Sequence, residues 1–499
     1  MSISALSSGY GLTHTVSMLR DQLDELELQL GTGNKSQTLG GLGADRTVSL
    51  AARADISSQE SYLRSSETAL LRLEVTQQSL GRIRENFLDS QREMRSTPYQ
   101  PNLNGQTLAQ TTAKDRLNEV VELLNTELNG RYLFAGRDGA TSPVARADDI
   151  LEGKGGKSGL KDIIAERKAA DMGADGRGRL VIPPSAGGVV SLSEDAAGSP
   201  FGFKLTAVNC SLSGTTTAGP AGSPSSLSIT FTATPPQQGE KITVELKLPD
   251  GSDLDLTLAA TTANPPGEHE FTIGATAAET ANNFQGALVR EVETLTQTEL
   301  EAASALQAGT DFFDISPGSP PQRVDGPPFA SATALKDATT SDTVFWYTGD
   351  LEGSPRDGAI AKVDDGYSIS YGVRADEHAL MDGVRILSVM AAETFDAADA
   401  NDEARYDAMV TRTAADLSIK PGEQSVASLE SLLGYKQGTL NSVSKKLESS
   451  ISFSQSVLSE VEQIDSYEVG VLLLQLQTSL QASYQTTSSL SKLSLVNFM

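Results

Sequence analysis

Both ends of this chain carry an apolar seam with alternating steps of four and three residues, and a seam of that kind is satisfied only by another helix. At the N-terminal end Leu12, Val16, Leu19, Leu23, Leu26 and Leu30 mark it, and Gly31, Gly33 and Asn34 close it. After the Pro421-Gly422 break the same spacing returns in Val426, Leu429, Leu433, Lys436, Leu440, Val443, Leu447, Ser450, Ser454, Val457, Val461 and Ile464. A last helix carries it through Val469, Leu473, Leu476, Leu480, Ser483, Thr487 and Leu490. The whole middle of the chain separates these seams, so they satisfy one another only if the termini pair.

Between the ends lies a second long pattern, from about Asp45 to Ser96, with Ile56, Leu63, Leu70, Leu73, Leu80, Ile83, Phe87 and Met94 near one stripe and no proline before Pro98. As a helix it would span roughly 75 Å, against a radius of gyration of about 23 Å for a compact globule of this length. A rod is expected. Pro98, Pro101, Asn104 and Gly105 turn the chain, and a third helix is expected through Leu117, Val121, Leu124 and Leu128 to Gly130.

From about Thr141 to Pro355 the texture changes to Gly, Pro, Ser and Thr, with period-two alternation at Leu227, Ile229 and Phe231, at Ile242, Val244, Leu246 and Leu248, and at Leu254, Leu256 and Leu258. Pro249-Asp250-Gly251-Ser252 reads as a hairpin turn, and Thr276 with Glu279 as a capping box opening a helix through Phe284, Leu288, Val292 and Leu295. Thr343 to Thr348 and Tyr367 to Val373 read as strands before a helix at about Asp376 to Phe395. The expected fold class is α+β: an elongated, coiled-coil-like helical rod from paired N- and C-terminal segments, with a β-rich middle domain. The expected division is 1–142 for the N-terminal rod segment, 143–342 for a β-rich outer domain with one inserted helix, 343–375 for a β-hairpin region, and 376–499 for the C-terminal rod segment.

Composition narrows the chemistry. The 499 residues exceed what one hydrophobic core holds. With 39 basic against 65 acidic residues the formal charge is -26, which repels nucleic acid and anionic membrane surfaces. Met1 to Gly11 lack the basic and apolar regions of a cleaved secretory signal, and the apolar stretch Val469 to Leu474 is too short to cross a bilayer, so no membrane insertion is expected. The lone Cys210 permits no internal disulfide, and three histidines, His14, His269 and His378, lie far apart in sequence.

Other catalytic signals are thin. Gly156-Lys157-Ser158 imitates the end of a phosphate-binding loop, but Leu151 stands where its first glycine belongs, and a flexible glycine-rich loop is the reading. The acidic pairs Asp148-Asp149, Asp364-Asp365 and Asp376-Glu377 lack the spacing of a calcium loop; the last pair sits where it would favour a helix macrodipole. No catalytic, cofactor-binding or metal-binding residue is therefore expected, and the chain reads as a non-enzyme. The expected assembly interface is Leu12, Val16, Leu19, Leu23, Leu26 and Leu30 with Leu473, Leu476, Leu480 and Leu490, flanked by Gln475, Gln477, Gln481 and Gln485 as donors for neighbouring helices.

The paired terminal seams, the stretch from Gly33 through Gly40-Gly41-Leu42-Gly43 to Asp45, and Arg46 to Ile56 after it resemble the bacterial flagellin family. Gly130-Arg131-Tyr132-Leu133-Phe134-Ala135-Gly136, Tyr371-Gly372-Val373-Arg374-Ala375-Asp376-Glu377 and the ending from Leu480 to Met499 are more similar to its hook-associated branch at the hook–filament junction. The resemblance covers roughly residues 1–142 and 343–499. It implies an extracellular structural part of the flagellum, exported unfolded through the flagellar type III apparatus without a cleaved signal peptide. It further implies a homo-oligomeric ring with flagellin and another hook-associated protein as neighbours, and an export chaperone for the C-terminal helices. A filament flagellin and a surface adhesin with a ligand-binding middle domain are the alternative readings.

Overall fold

A computed structural model describes residues 3–418 and 420–496 and, within those, side chains from 13 to 489. Helix takes 52% of the chain and strand 17%, which makes the protein α+β.

Helix α1 (Ile3–Thr32) extends on both sides of its seam. A 3-10 segment, Leu39–Asp45, bends at Gly43 (φ 57°) and leads into α2 (Arg46–Ser96), a helix of 51 residues whose one glycine is Gly81. Helix α3 (Leu108–Leu124) opens on a capping box in which the Gln110 amide donates to the Thr107 hydroxyl and the Thr107 amide to the Gln110 side chain. The expected run to Gly130 is a correction: α3 stops at Leu124. Asn129 (φ 54°) and Gly130 (φ 76°) take left-handed backbone and close a tight hairpin, β1 (Glu127–Leu128) against β2 (Arg131–Tyr132). Leu128 is thus a strand residue.

Helices α4 (Ala147–Glu152) and α5 (Leu160–Met172) precede two four-stranded sheets. The strands are β3 (Leu180–Val181), β4 (Val189–Glu194), β5 (Lys204–Cys210), β6 (Thr215–Ala221), β7 (Ser226–Phe231), β8 (Lys241–Lys247), β9 (Asp253–Thr261) and β10 (Glu270–Thr272). One sheet has the order β3-β4-β7-β6 and the other β10-β9-β8-β5. The period-two residues face inward: Leu192, Leu227 and Ile229 from the first sheet share a core with Val244, Leu246, Leu256 and Leu258 from the second. The β8–β9 turn falls at Pro249–Ser252, with Gly251 at φ 80° and the Leu248 amide donating to the Ser252 carbonyl at 2.9 Å. Helix α6 (Ala277–Leu295) starts on the expected capping box and lays Phe284 against Phe231 and Phe271, with ring centroids 5.5 and 5.2 Å away.

A π-helical turn, Thr296–Leu300, joins α6 to α7 (Glu301–Phe313). The hairpin of β11 (Gln322–Val324) and β12 (Leu335–Asp337) follows, then that of β13 (Ile360–Asp364) and β14 (Tyr367–Ser370). Helices α8 (His378–Ala392), α9 (Asp402–Asp416), α10 (Val426–Glu462) and α11 (Ser466–Val496) complete the chain. Two expectations change in this region. Residues 143–342 hold four helices rather than one, and α5 and α7 pack on each other and on α8 instead of decorating the sheets. Thr343 to Thr348 forms no strand, only single bridges from Thr343 to Ser158 and from Tyr347 to Val144. Trp346 and Tyr347 are both buried there, and the Trp346 indole donates to the Phe313 carbonyl at 2.9 Å.

The chain forms two compact units. One takes in residues through Leu70, Ala361–Ile369 and the chain from Gln437; the other holds Leu71–Ile360 and Ser370–Lys436. The limits at Leu70 and Gln437 fall inside helices α2 and α10.

Candidate assembly surface

Within the first unit α1 packs antiparallel along α11. The Arg20 Nε donates to the Tyr484 hydroxyl at 2.7 Å at one level, and the Ile464 amide donates to the Gly33 carbonyl at 3.1 Å at another. Val16, Leu19, Leu23 and Leu26 on α1 and Leu473, Leu476 and Leu480 on α11 face this pairing, and each is only half-buried. Leu30 is 45% exposed and Gln29 beside it is half-buried. Helix α10 buries Ser444 and Ile451 one step past Val443 and Ser450, the drift of a straight helix of 3.6 residues per turn off a 3.5-residue repeat. Leu12 and Leu490 lie outside the residues whose side chains are described.

The pairing leaves apolar side chains on outer faces. Met18 and Leu28 on α1, Phe453 on α10, and Tyr467, Val471, Leu472 and Leu474 at the start of α11 are exposed, Tyr467 by 82% and Phe453 by 70%. Gln475, Gln477, Gln481 and Gln485 are exposed beside them. In the second unit Phe284, Phe313 and Trp346 are among the rings that are fully buried.

At the foot of α1 the chain is stitched to the α10–α11 break. The Lys35 amide donates to the Glu462 carbonyl at 2.7 Å, the Lys35 Nζ to the Glu460 carbonyl at 2.8 Å, and Asn34 bridges Gln463. The Glu462 carboxylate accepts from both Arg53 nitrogens and from the Ser49 hydroxyl, and the Arg53 hydrogen bond, more than any other group, holds it below the usual carboxylate range. Seam periodicity does not reveal this stitch, because its side chains lie off the apolar stripe. Its one sequence signal is positional: Gly33 and the Gln463 break both interrupt otherwise continuous helical patterns.

The residues weighed for other chemistry are engaged structurally. Lys154 and Lys157 close a two-residue turn through Gly155 (φ 61°) and Gly156 (φ 87°), exchanging backbone hydrogen bonds at 3.1 Å, so the segment carrying Gly156-Lys157-Ser158 is a turn with no cradle of amides. His14 and His378 are exposed, and His269 meets Glu291 at 2.9 Å. Asp148 pairs with Lys114, Asp149 with Lys154, and Asp365 with Lys362. Asp376 and Glu377 stand at the start of α8, Glu377 at its N-cap, and are also held by guanidinium groups: Asp376 takes two Arg374 nitrogens, and Glu377 takes Arg356. Burial in β5 pushes the Cys210 thiol up, which keeps it protonated and a poor nucleophile. Among the described residues no group of three His, Cys, Asp or Glu side chains could hold a metal ion. No helix there is long and apolar enough to cross a membrane.

No protein-family model matches the chain, and no curated protein does.

Proposed function

We propose that this chain is a structural component of the bacterial flagellum that joins hook and filament through association of its terminal helices, without enzymatic activity. The observation that carries the reading is the half-burial of the α1–α11 seam: residues spaced for a helix interface gain only part of their burial within one chain. Completing it against neighbouring copies would remove apolar surface from water at roughly 25 cal/mol per Å². The similarity of the terminal segments to the flagellin family, and of Gly130 to Gly136 and Tyr371 to Glu377 to its hook-associated branch, supplies the setting. In that setting the paired termini form an elongated rod within a ring of identical copies, outside the cell. Its neighbours are flagellin and another hook-associated protein, and export runs through the flagellar type III apparatus with a chaperone on the C-terminal helices.

Immunogold labelling of purified flagella tests the proposal. One band at the distal end of the hook supports it; label along the whole filament favours a filament flagellin, and no label on flagella overturns the flagellar reading.

A further inference from the structure

The chain has two Asn-Gly steps, Asn104-Gly105 and Asn129-Gly130. Such a step favours attack by the backbone on the asparagine side chain, because glycine sets no Cβ beside the attacking nitrogen. The fold treats the two steps differently. At the first, the Asn104 amide donates to Asn102 Oδ1 at 2.8 Å and the Gly105 amide to the Asn102 carbonyl at 3.0 Å. The Gly105 carbonyl accepts from the Phe395 amide at 2.9 Å, and a Cβ on Gly105 would lie 2.4 Å from the Phe395 oxygen. That backbone is pinned on both sides, and its nitrogen is already engaged.

At the second step the surroundings are open. Asn129 and Gly130 are exposed at the tip of the β1–β2 hairpin, and nothing lies within 4 Å of the place a Gly130 Cβ would take. Among the described residues neither the Asn129 side chain nor the Gly130 amide has a hydrogen-bond partner. Each strand of the hairpin is two residues long, so few ladder bonds resist rotation of the turn peptide.

We propose that Asn129 is a site of spontaneous deamidation that remodels the β1–β2 turn. The Gly130 nitrogen attacks Asn129 Cγ and gives up its proton to solvent, the Cγ–Nδ2 bond breaks, and ammonia leaves with a proton from solvent. The product is a five-membered succinimide. Water then adds to one of the two ring carbonyls: opening at Cγ leaves aspartate in the normal chain, and opening at the backbone carbonyl leaves isoaspartate, with the chain now running through the side chain. Water is the one co-reactant, and no electron is gained or lost. Either product adds a negative charge beside Arg131; the second also adds an atom to the turn and removes the Leu128–Arg131 register. This inference does not depend on the assembly reading.

The test ages the full-length chain in mildly alkaline buffer made with heavy-oxygen water, digests it in acid, and maps both sites by tandem mass spectrometry that separates aspartate from isoaspartate. The expected result is labelled aspartate and isoaspartate at Asn129 with Asn104 still an amide, and conversion at both sites once the chain is denatured. An Asn129→Ser chain should lose the signal. An intact Asn129, or equal conversion at the two sites in the folded chain, overturns the proposal, as does the same bias in the denatured chain.

Discussion

The Glu462 carboxylate lies 2.9 and 2.7 Å from two nitrogens of Arg53 and 2.5 Å from the Ser49 hydroxyl, so the end of α10 is fastened to the start of α2. Because these bonds hold its folded pKa below the unfolded value, the stabilisation is fully present above the ordinary carboxylate pKa and is lost as pH falls through the depressed folded value. Much of Arg53 is open to solvent, so the pair is worth about 0.2–1 kcal/mol. A Glu462→Gln chain should exchange the Lys35 and Ile464 amides faster than wild type at neutral pH, and the difference should shrink in acid. Hydrogen exchange read by mass spectrometry checks both expectations.

Removing residues from Leu476 onward takes away five of the seven α11 seam residues and leaves every residue of the second unit in place. Such a chain should fail to assemble, while near-ultraviolet circular dichroism keeps the signal of the buried Trp346. Assembly at the wild-type level, followed by sedimentation, would count against the role given to the termini.

Gly383 on α8 faces the Phe87 ring so closely that an added Cβ would sit 2.0 Å from its Cζ. The Gly383→Ala chain must move a buried ring or a helix, at a cost of about 1–3 kcal/mol. Thermal unfolding should show the loss, and a Phe87→Leu change in the same chain should recover part of it.

Arg167 on α5 is buried with Asp171 and Asp311, both at 2.8 Å, and donates to the Pro200 carbonyl at 3.0 Å. Truncating it to alanine strands two buried carboxylates, and the expected destabilisation is about 3–5 kcal/mol. Denaturant melts of Arg167→Ala should show it at neutral pH, with a smaller gap in acid, where the stranded carboxyls take up protons.

The long helices and the sandwich strands were legible because their burial is periodic along one element: the alternating residues of β7, β8 and β9 and the seam of α2 follow the pleat and the helical turn. The capping box at Thr276 and the turn at Gly251 carry their geometry in a few adjacent residues. What sequence did not reveal depends on partners distant in the chain. Trp346 sits against Phe313 instead of in a strand, and Glu377, at the helix start read for it, also pairs with Arg356. Leu128 fits the helical spacing of α3, but the left-handed backbone at Asn129 and Gly130 overrides that pattern within two residues.

The turn at Gly33–Lys35 and the break at Gln463–Asp465 meet at one level, tied by main-chain hydrogen bonds. Helices α1 and α11 therefore spring from a common root. Load applied to either helix at that root is therefore shared with the other through peptide groups, which no side-chain substitution removes.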